Sequence, residues 1–167
     1  MGTASLLDRY ERLIEAVLAE LKLQYGQRLV ATAVFGSVGR GTPREDSDVD
    51  LLIVARDLPA GRFCRLDEFL PVEARLDAAL RAVRSDGHPV VLSPVFKTPA
   101  EVERGSPLFL DLVEDARILY DPESFLIRYL DGLRARMRQL GSRRVWLGNA
   151  WYWELKPDLK PGEVITL

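Results

Sequence analysis

The stretch VFGSVGRGTPREDSDVDLLIV, residues 34–54, decides how the rest of the sequence is interpreted. It starts in an apolar run, passes through a polar segment with three glycines, and ends with two aspartates that lead into a second apolar run. Both runs are short and rich in β-branched residues, which predicts buried strands at 28–35 and 49–55. Asp48 and Asp50 should point to the same side of the second strand, where their charges repel. A cation or a proton between them would relieve that repulsion.

The glycine-rich bend follows the first strand directly. Glycines at 36, 39 and 41 would let a phosphate approach the backbone N–H groups. The bend is not a Walker P-loop, because Thr42 and Pro43 stand where lysine and a hydroxyl residue are needed. Its G-x-x-G-x-G spacing also differs from the dinucleotide fingerprint. Taken alone, the bend is equally consistent with a tight turn that has no ligand.

The two parts together resemble a known family. FGSVGRG at 35–41, followed by SDVDL at 47–51, is similar to the composite motif of the DNA polymerase β-type nucleotidyltransferase superfamily. The likeness is to its stand-alone minimal members and covers roughly residues 5–120. Gly39 is the one departure inside the motif, since alanine is usual there.

The resemblance implies a role for each matching residue. In this family the Gly–Ser pair, here Gly36 and Ser37, holds the β- and γ-phosphates of the nucleotide. The aspartates, here Asp48 and Asp50, are catalytic residues that bind two divalent ions. Arg40 would offset phosphate charge, with an ordinary surface arginine as the alternative. Such a reaction depends on charge neutralisation and in-line positioning, which these residue types supply.

The implied function is transfer of a nucleoside monophosphate from a nucleoside triphosphate, with ATP as the first choice, to a hydroxyl acceptor. The implied cofactor is Mg²⁺, or Mn²⁺ in its place. Stand-alone relatives often pair with a small helical protein in toxin–antitoxin modules, and the transferase adenylylates that partner. A protein acceptor is therefore one expectation, beside a small molecule or an RNA end.

A third carboxylate is expected on a later strand, where the family completes its metal site. The candidate strand at 90–96 has Ser93 and Pro94 and no acid. The nearest acids downstream are Glu101 and Glu103, and Asp67 and Glu68 lie on the preceding predicted helix. This leaves open an alternative function, a weakly active or inactive module that binds a nucleotide or metal and acts through protein contacts, as an antitoxin does.

The remaining pattern predicts a mixed α/β (α+β) fold. Helices are predicted at 5–24, 63–70, 72–83, 106–115 and 122–140, and further strands at 90–96 and 117–120. Pro71 should interrupt the helical region between 63–70 and 72–83, and Pro94 should place its strand at a sheet edge or at a bulge. We expect a nucleotidyltransferase domain at 1–120, with a small mixed sheet of about four strands flanked by helices. A C-terminal helix and an extended aromatic and proline-rich tail, 121–167, should pack on it.

Composition excludes several classes of protein. The 167 residues include 23 basic and 25 acidic side chains, so nucleic acid is not an expected partner. The N-terminal segment lacks the apolar region of a signal peptide, and no run is long enough to span a membrane, which predicts a cytoplasmic protein without a membrane partner. The lone Cys64 excludes an internal disulfide and should pack in the interior. The tail tryptophans favour packing over base stacking. Homo-oligomerisation stays open.

Overall fold

Six helices and six strands succeed one another in the computed structural model, which describes residues 5–148 and 150–165. In chain order they are α1 (Leu6–Tyr25), β1 (Leu29–Phe35), α2 (Gly36–Gly39), β2 (Val49–Ala55), α3 (Arg62–Arg81), β3 (Leu92–Lys97), α4 (Pro99–Glu103), α5 (Leu108–Asp115), β4 (Arg117–Tyr120), α6 (Phe125–Leu140), β5 (Arg143–Leu147) and β6 (Ala150–Glu154). A single 3₁₀ turn, Gly26–Arg28, joins α1 to β1. Within the described residues no helix is both long and apolar enough to cross a membrane.

The main sheet has four strands in the order β3-β2-β1-β4. Strand β1 runs antiparallel to both β2 and β4, whereas β2 and β3 are parallel, so the sheet is mixed as predicted. Asp50 is paired with Phe35 on one side and with Ser93 on the other. The start of β2 therefore lies beside the end of β1 and the start of β3.

Two apolar layers cover the sheet, one on each face, as the alternation of side chains in a strand requires. Leu51 and Ile53 pack in the layer formed with α1 and α3. Leu52 and Val54 pack in the layer formed with α5 and α6. Asp50 shares a face with Leu52, which places its carboxylate at the edge of the α5–α6 layer.

Helix α3 runs through Pro71 without a break, so the predicted interruption there is wrong. Pro71 and Asp67 are both exposed. The Asp67 carbonyl, which loses its helical donor, can therefore bind water. Meanwhile Phe69, Val72 and Leu76 are buried on the opposite face and hold both halves against the core.

The C-terminal tail is not simply extended, because β5 and β6 form an antiparallel hairpin. Arg144 pairs with Trp153, and Trp146 pairs with Trp151 across the two strands. The sequence had a signal for it, namely two aromatic and β-branched runs separated by Gly148 and Asn149. Asn149 itself lies outside the described residues.

The C-terminal elements share a core with the main sheet. Leu126, Leu130 and Met137 of α6 are buried in the same layer as Leu52, and Trp153 of the hairpin packs against it. The boundary between a domain at 1–120 and an appended segment at 121–167 stays a prediction.

Smaller predictions divide between confirmed and wrong. Strand β3, with Pro94, lies at an edge of the sheet as expected. The pairs Ser106–Pro107 and Asp121–Pro122 are each typical of an N-cap followed by a proline at the first helical position. Helix α6 begins at Phe125, later than predicted, although the Asp121 carboxylate accepts hydrogen bonds from the N–H groups of Phe125 and Ile127. Ser106 makes no such bond to α5. Cys64 is exposed, so the prediction that it packs in the interior is wrong.

Candidate active site

The glycine bend and the aspartate pair are in direct contact. Helix α2 begins at Gly36, whose φ of +66° is rarely adopted by residues with side chains. A Cβ built at Gly36 would overlap Oδ2 of Asp50. A glycine is therefore needed here for two reasons, the backbone conformation and the space that the carboxylate occupies.

The Asp48 carboxylate lies close enough to Asp50 to influence the pKa of Asp50. Asp48 is exposed just before β2, and Asp50 is half-buried within it. Burial, and then the neighbouring Asp48 carboxylate, raise the pKa of Asp50, while Arg40 acts in the opposite direction. This repulsion disfavours the charged form of Asp50 when no cation is bound.

The bend is held in place by short polar contacts. The Ser37 hydroxyl donates a hydrogen bond to the Ser47 hydroxyl at 3.0 Å. The Ser47 hydroxyl also accepts a hydrogen bond from the N–H of Arg44 at 2.9 Å. Tyr10, fully buried in α1, donates to the carbonyls of Arg44 and Ser47. Ser37 is therefore positioned beside the segment that leads into the two aspartates.

Arg40 has a partner that the sequence did not indicate. Its Nη1 donates to Oδ2 of Asp115 at 2.8 Å, and that carboxylate is only 6% exposed. Asp115 ends α5, and no local motif links it to a residue 75 positions earlier. Arg40 is exposed, but this ion pair holds its side chain, so it differs from an ordinary surface arginine. Its role toward phosphate stays a prediction.

The expected third carboxylate is absent from the neighbouring strand. Strand β3 places Ser93 beside Asp50, whereas the resemblance predicts an acid on this strand. Two of the candidate acids are held elsewhere. Glu101 forms a two-pronged contact with Arg65 at 2.8 and 3.0 Å, and Glu68 pairs with Arg28. Across residues 5–148 and 150–165, no group of three or more metal-binding side chains occurs.

The donors present fit a single magnesium ion that is shared with a nucleotide. Mg²⁺ commonly takes one or two protein carboxylates and completes its shell with substrate phosphates and water. Asp48 and Asp50 supply such a pair, and the space left by the missing Cβ of Gly36 admits the Asp50 carboxylate. The same two residues alone are a sparse ligand set for two ions.

Gly36→Ala is expected to lower kcat/KM for transfer about tenfold, because displacement of a reacting group by about 1 Å costs up to ~100-fold in rate. The left-handed backbone alone should cost about 1–2 kcal/mol of stability. Gly41→Ala is the matched control, since Gly41 has a φ of +73° and no atom within 4 Å of an added Cβ. Steady-state kinetics with thermal unfolding separates the two effects. Equal losses of activity in both variants would contradict the proposed contact with Asp50.

Comparisons with known proteins agree with the motif. The model of the nucleotidyltransferase domain family matches residues 14–120. The chain is 28% identical over 130 residues to the "Putative protein adenylyltransferase MJ1305" of Methanocaldococcus jannaschii, which covers 77% of this chain and 83% of that protein. It is 33% identical over 84 residues to "Protein adenylyltransferase MntA" of Thermococcus cleftensis, which covers 48% of this chain and 83% of that protein.

The fold also has a counterpart among solved structures. A chain in a crystal structure of a toxin–antitoxin with AMP-PNP is 17% identical, with a TM-score of 0.49, covering 76% of this chain and 92% of that one. The family assignment rests on the sequence matches alone. The family model spans the glycine bend, both aspartates and all four strands of the main sheet. The resemblance first indicated by FGSVGRG and SDVDL is confirmed, and the chain belongs to the nucleotidyltransferase domain family.

Proposed function

We propose that this protein transfers a nucleoside monophosphate from ATP, in the presence of Mg²⁺ or Mn²⁺, to a hydroxyl group of a partner protein. The observation that supports it most is the contact between Gly36 and the Asp50 carboxylate, which joins the phosphate-binding bend to the metal-binding pair. The protein acceptor is supported by the names of the two relatives, both of which contain the words protein adenylyltransferase. A small helical partner fits this proposal.

The chain's own residues have separate tasks in the reaction. The Ser37 hydroxyl and the N–H groups of the bend bind the β- and γ-phosphates. Asp48 and Asp50 would hold a divalent ion, which would neutralise charge on the phosphates. The acceptor oxygen bonds to the α-phosphorus, the bond to the β-phosphate oxygen breaks, and pyrophosphate leaves. The hydroxyl proton passes to water.

A second candidate function is favoured by one observation. Ser93 occupies the position next to Asp50 where a third acid would lie. A protein without this acid would bind a nucleotide and a metal but transfer slowly, and it would act as an interaction module. The two aspartates beside the glycine bend favour the first function. Their carboxylates repel each other and destabilise the fold unless a cation binds between them.

Label transfer tests the proposal directly. Wild-type protein is incubated with α-³²P-ATP, Mg²⁺ or Mn²⁺, and cell extract, beside an Asp48→Ala/Asp50→Ala variant. We expect a labelled protein band with the wild type and none with the variant. The same label in both, or in neither, contradicts the proposed transferase activity.

Calorimetric titration with ATP and Mg²⁺ then distinguishes the second candidate. Heat of binding without label transfer supports the interaction module. No heat and no transfer contradict both functions.

A further inference from the structure

An arginine of the aromatic hairpin lies in a cage of tryptophans. The Arg144 guanidinium is centred 5.0 Å from the ring of Trp151, 5.1 Å from Trp153 and 6.0 Å from Trp146. Its side chain is only 12% exposed. Cations stack favourably on indole faces, so the hairpin holds this charge at a defined place.

The hairpin is attached to helix α5 through two carboxylates. Trp151 and Trp153 each donate an indole N–H to Oδ1 of Asp111, at 2.8 and 2.9 Å. Arg144 donates to the same oxygen at 3.4 Å and to Oδ1 of Asp115 at 3.1 Å. These contacts place the positive charge of Arg144 against the end of α5.

The other oxygen of Asp115 contacts the nucleotide-binding bend. Oδ2 accepts the hydrogen bond from Arg40, so this buried carboxylate lies between two arginines. The backbone confirms the proximity, because a Cβ on Gly39 would lie 2.6 Å from the Asp115 carbonyl oxygen. An alanine side chain at this position would not fit unless a neighbouring carbonyl moved.

The charges of this cluster balance. Arg40 and Arg144 carry two positive charges, and Asp111 and Asp115 carry two negative ones. Within the described residues, the Asp115 carboxylate forms ion pairs with Arg40 and Arg144. If Arg144 were removed, only the pair with Arg40 would remain. Because a buried carboxylate requires compensation, it would then hold Arg40 more tightly and compete with phosphate for it.

We propose that Arg144 is a positioning residue for nucleotide binding, which shares the charge of Asp115 and so leaves Arg40 available to the triphosphate. The inference rests on the proposed function, because it assumes that the bend binds a nucleotide. The aromatic hairpin would then influence the affinity of the glycine bend for nucleotide, although no residue of the hairpin contacts the nucleotide.

The test is a titration of the full-length protein with a non-hydrolysable ATP analogue and Mg²⁺. Arg144→Ala is expected to raise Kd about tenfold. Asp115→Asn in the Arg144→Ala background should bring Kd back toward the wild-type value, because the competing carboxylate is gone. In an Arg40→Ala background, Arg144→Ala should have no further effect. In label transfer, KM for ATP should rise while kcat stays within about twofold.

Arg143→Ala is the matched control, since Arg143 is on the same strand but pairs with Glu154 at the surface. It should leave Kd unchanged. The inference is overturned if Arg143→Ala weakens binding as much, if Asp115→Asn gives no rescue, or if the effects of Arg40 and Arg144 add. Circular dichroism confirms that each variant folds, and Arg144→Gln replaces an unfolded Arg144→Ala. A wild type that binds no nucleotide overturns the proposed function and this inference together.

Discussion

Asp50→Asn is expected to lower the rate of nucleotidyl transfer about 1000-fold and, in the absence of metal, to stabilise the fold. Asparagine has the same shape but cannot neutralise a divalent ion. The loss corresponds to about 4 kcal/mol of transition-state stabilisation, in the range that a metal ion supplies. The gain in stability follows from removing a half-buried charge that repels Asp48. A gain of ~1 kcal/mol would raise the midpoint of thermal unfolding by about 2–4 °C.

The stability difference between wild type and Asp50→Asn should depend on pH with a definite sign. Burial and Asp48 raise the pKa of Asp50 in the folded state, so the native protein retains this proton more strongly than the unfolded chain. The wild type therefore loses stability relative to the variant as pH rises from the ordinary carboxylate pKa of about 4 through the raised one. Thermal unfolding from pH 4 to pH 8 in the presence of a chelator measures the difference.

Asp67→Asn controls for the general effect of removing an acid, because Asp67 is exposed on α3. It should leave both transfer and the pH profile unchanged. Retained transfer in Asp50→Asn would contradict the metal-binding role of this residue. A destabilised Asp50→Asn in the absence of metal would contradict the repulsion between the two aspartates.

Ser93→Asp is expected to raise the rate of transfer on the order of 100-fold, the opposite of the usual effect of a point mutation near an active site. Paired residues on neighbouring parallel strands lie about 4.8 Å apart and face the same side. An aspartate at 93 would therefore lie beside Asp50, where it could bind metal and accept a proton from the acceptor hydroxyl. Single-turnover label transfer with the wild type and the variant measures the gain.

Ser93→Asn is the matched control, because it has the shape of aspartate without the charge. The apparent affinity for Mn²⁺ should rise in Ser93→Asp and not in Ser93→Asn. If both variants have the wild-type rate and metal affinity, the serine does not occupy the position of a missing ligand. In that case the acceptor hydroxyl is activated without a third carboxylate beside Asp50.

Much of the main sheet was predictable because its signals are local. Strands β1 and β2 and helix α1 follow from apolar periodicity over 7 to 20 residues. The edge position of β3 follows from Pro94, which cannot donate within a ladder. The contact between the glycine bend and Asp50 also follows locally, because β1 and β2 are antiparallel neighbours joined by the bend itself.

The sequence by itself determined the family, the main strands and the pairing of a glycine-rich bend with two carboxylates, since each depends on residues close together in the chain. Only the tertiary structure decided which partner Arg40 takes. Asp115 pairs with Arg40 across 75 positions of the chain, Arg144 pairs with Asp115 across 29, and nothing in their local sequence marks them as partners. The buried Asp115 carboxylate pairs with the cations that lie nearest to it in the folded chain. Those cations come close only when α5 and the aromatic hairpin pack beside the bend.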